Sequence, residues 1–116
     1  LKNDSEAIRR KIAELLGQEE VQVIITSGGT GISHRDVTVE TVSSLLEKKL
    51  DGFGELFRSL SYPEIGTASI MSRAIAGVAG GKAVFCLPGS PQAVRLCLER
   101  LILPEAGHII LHARGK

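Results

Sequence analysis

At 116 residues, with 14 basic and 13 acidic side chains and a formal net charge of +1, the chain has room for one domain with a real core and carries no electrostatic footprint for nucleic acid. Aromatic content of 3% without tryptophan leaves packing to Val, Ile, Leu and Ala, which suits helices layered on a parallel sheet. No apolar run approaches the roughly 20 residues of a membrane span and the first residues do not read as a signal peptide, so a soluble, cytoplasmic domain with a small-molecule ligand is expected.

In chain order, Asn3, Asp4 and Ser5 offer helix-capping chemistry, and Ile8, Ile12, Leu15 and Leu16 share one helical face that should end at Gly17. The run VQVIIT, from Val21 to Thr26, is short and rich in β-branched residues, as expected of a buried strand. It delivers the glycine-rich loop Gly28 to Asp36, GGTGISHRD. Thr38 is placed to cap a second helix whose inward stripe is Val39, Val42, Leu46 and Leu50, with Asp51 and Gly52 as its stop. Phe53, Leu56, Phe57 and Leu60 suggest a short helix, and Ser61 to Gly66, with Pro63, reads as a loop. Gly80 and Gly81 separate two apolar runs in the manner of a hairpin or a helix-to-strand turn. The second run, Ala83 to Leu87, leads into Pro88-Gly89-Ser90-Pro91, where serine as N-cap and proline at the first helical position announce a helix buried through Val94, Cys97, Leu98 and Leu101. Leu103 to Ala113 fits helix or strand, and Pro104 as a first-turn residue favours helix. Cys86 and Cys97 are too few and too far apart for a zinc site or a disulfide framework and read as reduced core residues.

Strand, glycine loop and helix occur twice, which predicts an α/β fold with right-handed crossovers and a mostly parallel sheet, both loops opening on the rim at the strands' carboxyl ends. Gly28, Gly29 and Gly31 permit positive φ and close approach of the backbone to a ligand, Thr30 adds a hydroxyl, and the helix N-terminus beyond favours an anion. Asp36 repels a phosphate unless a divalent metal lies between them, so it is the candidate Mg²⁺ ligand, with His34 and Arg35 as candidate donors. The residues alone leave another reading open: the glycines make the turn and Asp36 caps the following helix, since the loop is neither GxGxxG nor a P-loop with its lysine.

The run TSGGTGISHRDVT, the stretch GFGELFRSLS, the pair Ser72-Arg73 and the loop LPGSP, in that order, resemble the molybdopterin-binding MoaB/MogA family of molybdenum cofactor biosynthesis. The resemblance covers residues 1–116 as one molybdopterin-binding domain, yet corresponds to the later two-thirds of the family domain: its opening strand, helix and second strand have no counterpart before Leu1. It implies a three-layer α/β sandwich, commonly a homotrimer or hexamer, that binds molybdopterin and, in catalytic members, adenylylates it with Mg-ATP, releasing pyrophosphate. Carried over by position, Asp36 is the essential aspartate for metal-assisted transfer, and Gly28, Gly29, Thr30 and Gly31 hold the pterin phosphate or nucleotide. Ser59 falls near a family serine in the pocket wall, Ser72 and Arg73 correspond to the family's SR motif, and Pro88, Gly89, Ser90, Pro91 and Gln92 match the PGxP loop, all of them candidate ligand contacts. A second family aspartate aligns with Asn3, so that carboxylate is either lost or supplied by Asp4, and Cys86 stands where some relatives carry asparagine.

Three rivals remain at this stage. A pyridine-nucleotide hydrolase domain of the competence/damage-inducible type has a similar loop, but Thr30 argues against it. A carrier would bind molybdopterin without ATP-dependent chemistry. A nucleic-acid binder fits neither the charge nor the aromatic content. The apolar Phe53, Phe57 and Ile65 region is a candidate subunit contact, although such residues are more often core.

Overall fold

A computed structural model describes residues 4–115 and builds them around Lys82–Leu87, a strand whose six residues are all buried. The elements are α1 (Ser5–Leu16), β1 (Val23–Ser27), α2 (Thr38–Leu45), β2 (Lys48–Lys49), α3 (Asp51–Ile65), a 3₁₀ turn (Gly66–Met71), β3 (Ile75–Ala79), β4 (Lys82–Leu87), α4 (Pro91–Cys97), a π turn (Leu98–Ile102) and α5 (Leu103–Ala113). The sheet order is β1-β4-β3-β2. β1 runs parallel to β4, with Val23 opposite Ala83 and Ser27 opposite Leu87. Gly80 and Gly81, at φ 58° and 73°, make the two-residue turn that reverses the chain between β3 and β4, the conformation for which paired glycines are favoured. β2 in turn is antiparallel to β3. Three strands therefore share one direction and β3 alone opposes them: the α/β class stands, and the sheet is mixed, because β3 lies between β4 and β2.

Alternation along β4 divides the core into two layers. Ala83, Phe85 and Leu87 face Phe53 and Phe57 of α3, Cys97 of α4 and Ile102 of the π turn, and the Phe53 and Phe85 rings lie 5.3 Å apart. Val84 and Cys86 face Ile8 and Ile12 of α1, Ile24 and Val42. Helices thus cover both faces, which is the three-layer sandwich expected. Phe53 and Phe57 belong to this core and are not a subunit contact; Ile65, 49% exposed, is the member of that trio left at the surface.

Tertiary contacts moved several boundaries. α1 begins and ends as read, with Asp4 as N-cap and Gly17 as C-cap. α2 stops at Leu45, well short of Asp51, because the next residues pair with β3 instead: the N–H of Glu47 donates to Val78 O and that of Leu50 to Ala76 O, both at 2.8 Å. The helical spacing of Leu46 and Leu50 is coincidental, and Asp51 and Gly52 open α3. Thr38 is the first residue of α2, and its N–H goes to Gly29 O, while Val37 occupies the cap with no side-chain bond. α3 continues to Ile65 through Pro63, since a proline in the final turn deletes one hydrogen bond and the helix then ends at Gly66, φ 61°. Pro104 does sit in the first turn of a helix, α5, directly after the π turn.

Candidate functional site

The reversal of β3 gathers the motifs. β1 and β4 run parallel, so their loops leave the sheet at one end, where the N–H of Gly28 donates to Leu87 O at 2.9 Å. β3 starts at that same end, with Ile75 opposite Cys86, and so Ser72 and Arg73 reach the rim. Gly89 packs so closely on Gly28 that a Cβ would come 3.3 Å from the Gly28 Cα.

The glycine loop is tied down from a distance. Arg73 Nε donates to Thr30 O at 3.1 Å, its Nη2 to Gly31 O and to Asp36 O, and its Nη1 to Glu40 Oε2 at 2.5 Å. Its guanidinium is therefore occupied by loop carbonyls and Glu40, and Arg73 fastens the glycine loop. That bond to Arg73 holds the Glu40 carboxyl below the usual range. Gly28 and Gly29 take positive φ, 96° and 68°, as expected. Gly31 serves differently: a Cβ there would lie 2.6 Å from Asp36 Oδ2, so glycine makes room for the carboxylate.

Asp36 closes its own loop. Oδ2 accepts from the Ser33 N–H at 3.1 Å and the Ser33 hydroxyl at 2.7 Å, and the hydroxyl bond above all lowers its pKa, with help from the Ser33 and Gly31 amides and the charge of Arg73. It does not cap α2. Asp4 accepts from the N–H groups of Glu6 and Ala7 at 3.0 and 3.3 Å, is exposed, and lines none of the hollows around the loop. Asn3 lies outside the described residues.

A cleft of about 230 Å³ opens beside the loop. Thr30, Gly31, Ser72, Pro88 and Ser90 give it a polar side; Phe57, Ile65, Ala68, Met71 and Leu96 give it an apolar wall. The Ser90 hydroxyl accepts from the Ala93 N–H at 3.2 Å, capping α4 as read and keeping its own hydrogen free to donate. Ser72 Oγ is buried without a hydrogen-bond partner, an uncompensated polar atom at the cleft's edge. Gly28 and Gly29 face a second hollow, of about 410 Å³, beneath Ile8, Lys11, Ile12 and Leu15 of α1. Ser59 is exposed and lines neither; Ser61, buried and donating to Phe57 O at 2.8 Å, is the serine of the wall. Pro91 starts α4 without facing the cleft. Glu64, missed in the sequence, reaches across it to Gln92 Nε2 at 2.6 Å. Its signal was its place one turn after Ser61 on α3, hidden once that stretch was read as a loop.

Both cysteines are fully buried; desolvation raises the Cys86 pKa and pushes that of Cys97 up to about 12, as suits core thiols. Among the described residues no helix is long and apolar enough to cross a membrane.

An α/β domain with tight loops converging at the strands' carboxyl ends, around a cleft polar on one side and apolar on the other, has the arrangement in which such sheets hold small-molecule ligands. The chain is a member of the family described as probable molybdopterin binding domain, whose model matches residues 1–108. It is 54% identical over 110 residues to Molybdenum cofactor biosynthesis protein B of Bacillus cereus, covering 94% of this chain and 65% of that protein, and 51% identical over 111 residues to the protein of the same name from Staphylococcus carnosus, again covering 65% of it. The chain thus spans just under two-thirds of the length of these relatives. A crystal structure of Molybdenum cofactor biosynthesis protein B superposes with a TM-score of 0.93 at 50% identity, over 98% of this chain and 71% of the other. The tungsten cofactor synthesizing protein MoaB from Pyrococcus furiosus superposes with a TM-score of 0.87 at 40% identity, over 97% and 71%.

Proposed function

We propose that the chain acts in molybdenum cofactor biosynthesis, binding molybdopterin in the cleft and adenylylating it with Mg-ATP, with release of pyrophosphate. The observation that carries this reading is the convergence of Thr30, Gly31, Ser72, Pro88 and Ser90, from three separated motifs, on one cleft with an apolar wall. The wall suits a flat heterocycle; the hydroxyls and the glycine backbone suit its phosphate. Ser72 Oγ, unsatisfied in the free chain, gains a partner if a ligand reaches it.

The reaction asks for placement and charge compensation. A molybdopterin phosphate oxygen attacks the α-phosphorus of ATP; the new P–O bond forms as the bond to the bridging oxygen breaks, and pyrophosphate leaves with that electron pair. The donors at the loop are oxygen, and Asp36 is kept ionised, so the residues fit Mg²⁺, which is usually held through one or two carboxylates together with substrate phosphates and water. Bound there, Mg²⁺ would supply neutralisation of the phosphate charge. Gly31 keeps the Asp36 carboxylate in position and Arg73 keeps the loop in shape.

One observation favours a second reading, binding without transfer: Asp4, the neighbour able to replace the carboxylate missing at Asn3, is engaged as the cap of α1. Incubation with molybdopterin and Mg-ATP separates the two, since transfer yields adenylylated pterin and pyrophosphate and binding alone yields neither. Asp36→Ala is expected to abolish product while pterin affinity stays within about tenfold, roughly 1.4 kcal/mol. An active Asp36→Ala protein would remove the metal role. We propose further that the protein is cytoplasmic and assembles as a homotrimer or hexamer.

A further inference from the structure

On α5, at the end of the sheet away from the cleft, two imidazoles face each other. His108 and His112 are one helical turn apart, their Nε2 atoms lie 3.0 Å from one another, and the rings meet edge to face with centroids 4.7 Å apart. His108 Nδ1 lies 3.0 Å from Glu105 Oε2. Arg114, two residues beyond His112, reaches Gly81 O in the β3–β4 turn, which fixes this end of α5 opposite the glycine loop. We propose that Glu105, His108 and His112 form a binding site for a late first-row divalent cation such as Cu²⁺ or Ni²⁺, chelated by the two Nε2 atoms.

The proton count supports the site. A carboxylate on Nδ1 fixes His108 as the Nδ1–H tautomer, so its Nε2 carries a lone pair aimed at His112. With His112 as its Nε2–H tautomer, that N–H donates to the lone pair. With the His112 proton on Nδ1 instead, both Nε2 atoms present lone pairs, and a rotation of the two rings turns them toward a common point beside the N···N line. Nitrogens at about 2.0–2.1 Å from a metal and separated by the observed 3.0 Å subtend roughly 95° at it. That is a cis angle of a tetragonal or octahedral ion rather than of a tetrahedral one, which ranks Cu²⁺ and Ni²⁺ above Zn²⁺.

The surroundings allow entry and select the ion. His108 is 60% exposed, and the pair borders a hollow of about 450 Å³ where water can fill the remaining positions. Among the described residues no group of three or more His, Cys, Asp or Glu is placed to hold a metal ion, so the pair is a two-nitrogen chelate completed by water, with Glu105 behind it. The charged groups of the hollow from the neighbouring elements are Glu47, whose carboxylate accepts from the Gly80 N–H at 3.1 Å, and Lys48, whose ammonium opposes a cation and limits affinity to what the chelate supplies. The two thiols, otherwise the softer ligands, are sealed in the core. The carboxylate on His108 orients and strengthens the ligand rather than binding the ion directly.

The test is titration of the whole chain with NiCl₂ and with CuCl₂, followed by calorimetry, and by the electron paramagnetic resonance of the Cu²⁺ form. One ion per chain is expected, with coupling to two imidazole nitrogens, and Mg²⁺ at millimolar concentration should not compete. His108→Ala and His112→Ala should each weaken binding by about tenfold or more, Glu105→Gln by about tenfold, and His34→Ala, the third histidine of the chain, should change nothing. All four positions are exposed, and circular dichroism checks that each variant is folded. No saturable uptake by the wild-type chain, or equal uptake by the His108→Ala/His112→Ala double variant, would reduce the pair to a hydrogen bond between side chains and overturn the site.

Discussion

The passage from strand through tight loop to helix occurs twice, and the two copies are held by opposite means. After β4, order is local: the Ser90 hydroxyl caps α4 by accepting from Ala93, and Pro91 sits at the first helical position, where it gives up no hydrogen bond. After β1, local bonds tie only the far end of the loop, where Asp36 accepts from Ser33. No side chain caps α2, and the loop carbonyls of Thr30, Gly31 and Asp36 are held by Arg73, about forty positions away in sequence. The first loop can take its final shape only once β3 has docked with its start at the rim. The difference shows that a long glycine-rich bend is fixed by the assembled sheet, while a short one can be written in two residues.

Arg73→Ala should break the long-range member of the pair most severely. It removes a charged, planar donor set from three carbonyls and from Glu40; with Arg73 only 29% exposed, the loss is expected at about 2–3 kcal/mol in urea unfolding, together with loss of pterin binding. Arg73→Lys should restore little, because one ammonium cannot face several carbonyls at once. If Arg73→Ala kept full stability and affinity, the first loop would be as self-sufficient as the second.

Gly31→Ala probes the same loop from within. The added methyl would meet Asp36 Oδ2 at 2.6 Å, so the carboxylate must move off Ser33. A cost of about 1–2 kcal/mol is expected, since the neighbour is a side chain able to shift, with adenylyl transfer falling further than pterin affinity. Ser90→Ala, the matching test of the second loop, should cost about 1 kcal/mol and Ser90→Gly only a few tenths, with the midpoint of urea unfolding displaced and its slope unchanged. Unaltered behaviour of the first loop in the Ser90 variants would confirm that the two are independently held.

What could be read from the sequence follows the same division. Features encoded within a few residues were legible: the Asp4 and Ser90 caps, the glycine end of α1, and the burial of Cys86 and Cys97. Features created by distant pairing were not. β2 is two lysines long, has no periodicity of its own and exists because β3 offers Val78 and Gly77 as partners. The reversal of β3, on which the rim position of Ser72 and Arg73 depends, follows from a two-glycine turn that was also compatible with a helix-to-strand passage. The motif resemblance brought Ser72, Arg73 and the glycine loop together; it could not show that Arg73 holds the loop's backbone, nor that Ser61 rather than Ser59 faces the cleft.

Acid offers the gentlest way to separate the loops. Asp36 and Glu40 both have folded pKa values below their ordinary 3.8 and 4.5, Asp36 chiefly through the Ser33 hydroxyl and Glu40 chiefly through Arg73. A depressed carboxyl pKa means that the contribution is fully present above the unfolded value and is lost as pH falls through the folded one. The first loop should therefore be unchanged from pH 8 to about 5, with the loss setting in below 4.5 and continuing past 3.8. The second loop is capped by a hydroxyl that does not titrate. Amide NMR makes the comparison direct: the Ser33 N–H, bonded to Asp36, should shift in that acid window while the Ala93 N–H, bonded to Ser90, holds its position. Simultaneous movement of the two would mean that acid opens the whole sheet before it releases the loop, and that Arg73 binds the first loop tightly enough to make its carboxylates redundant.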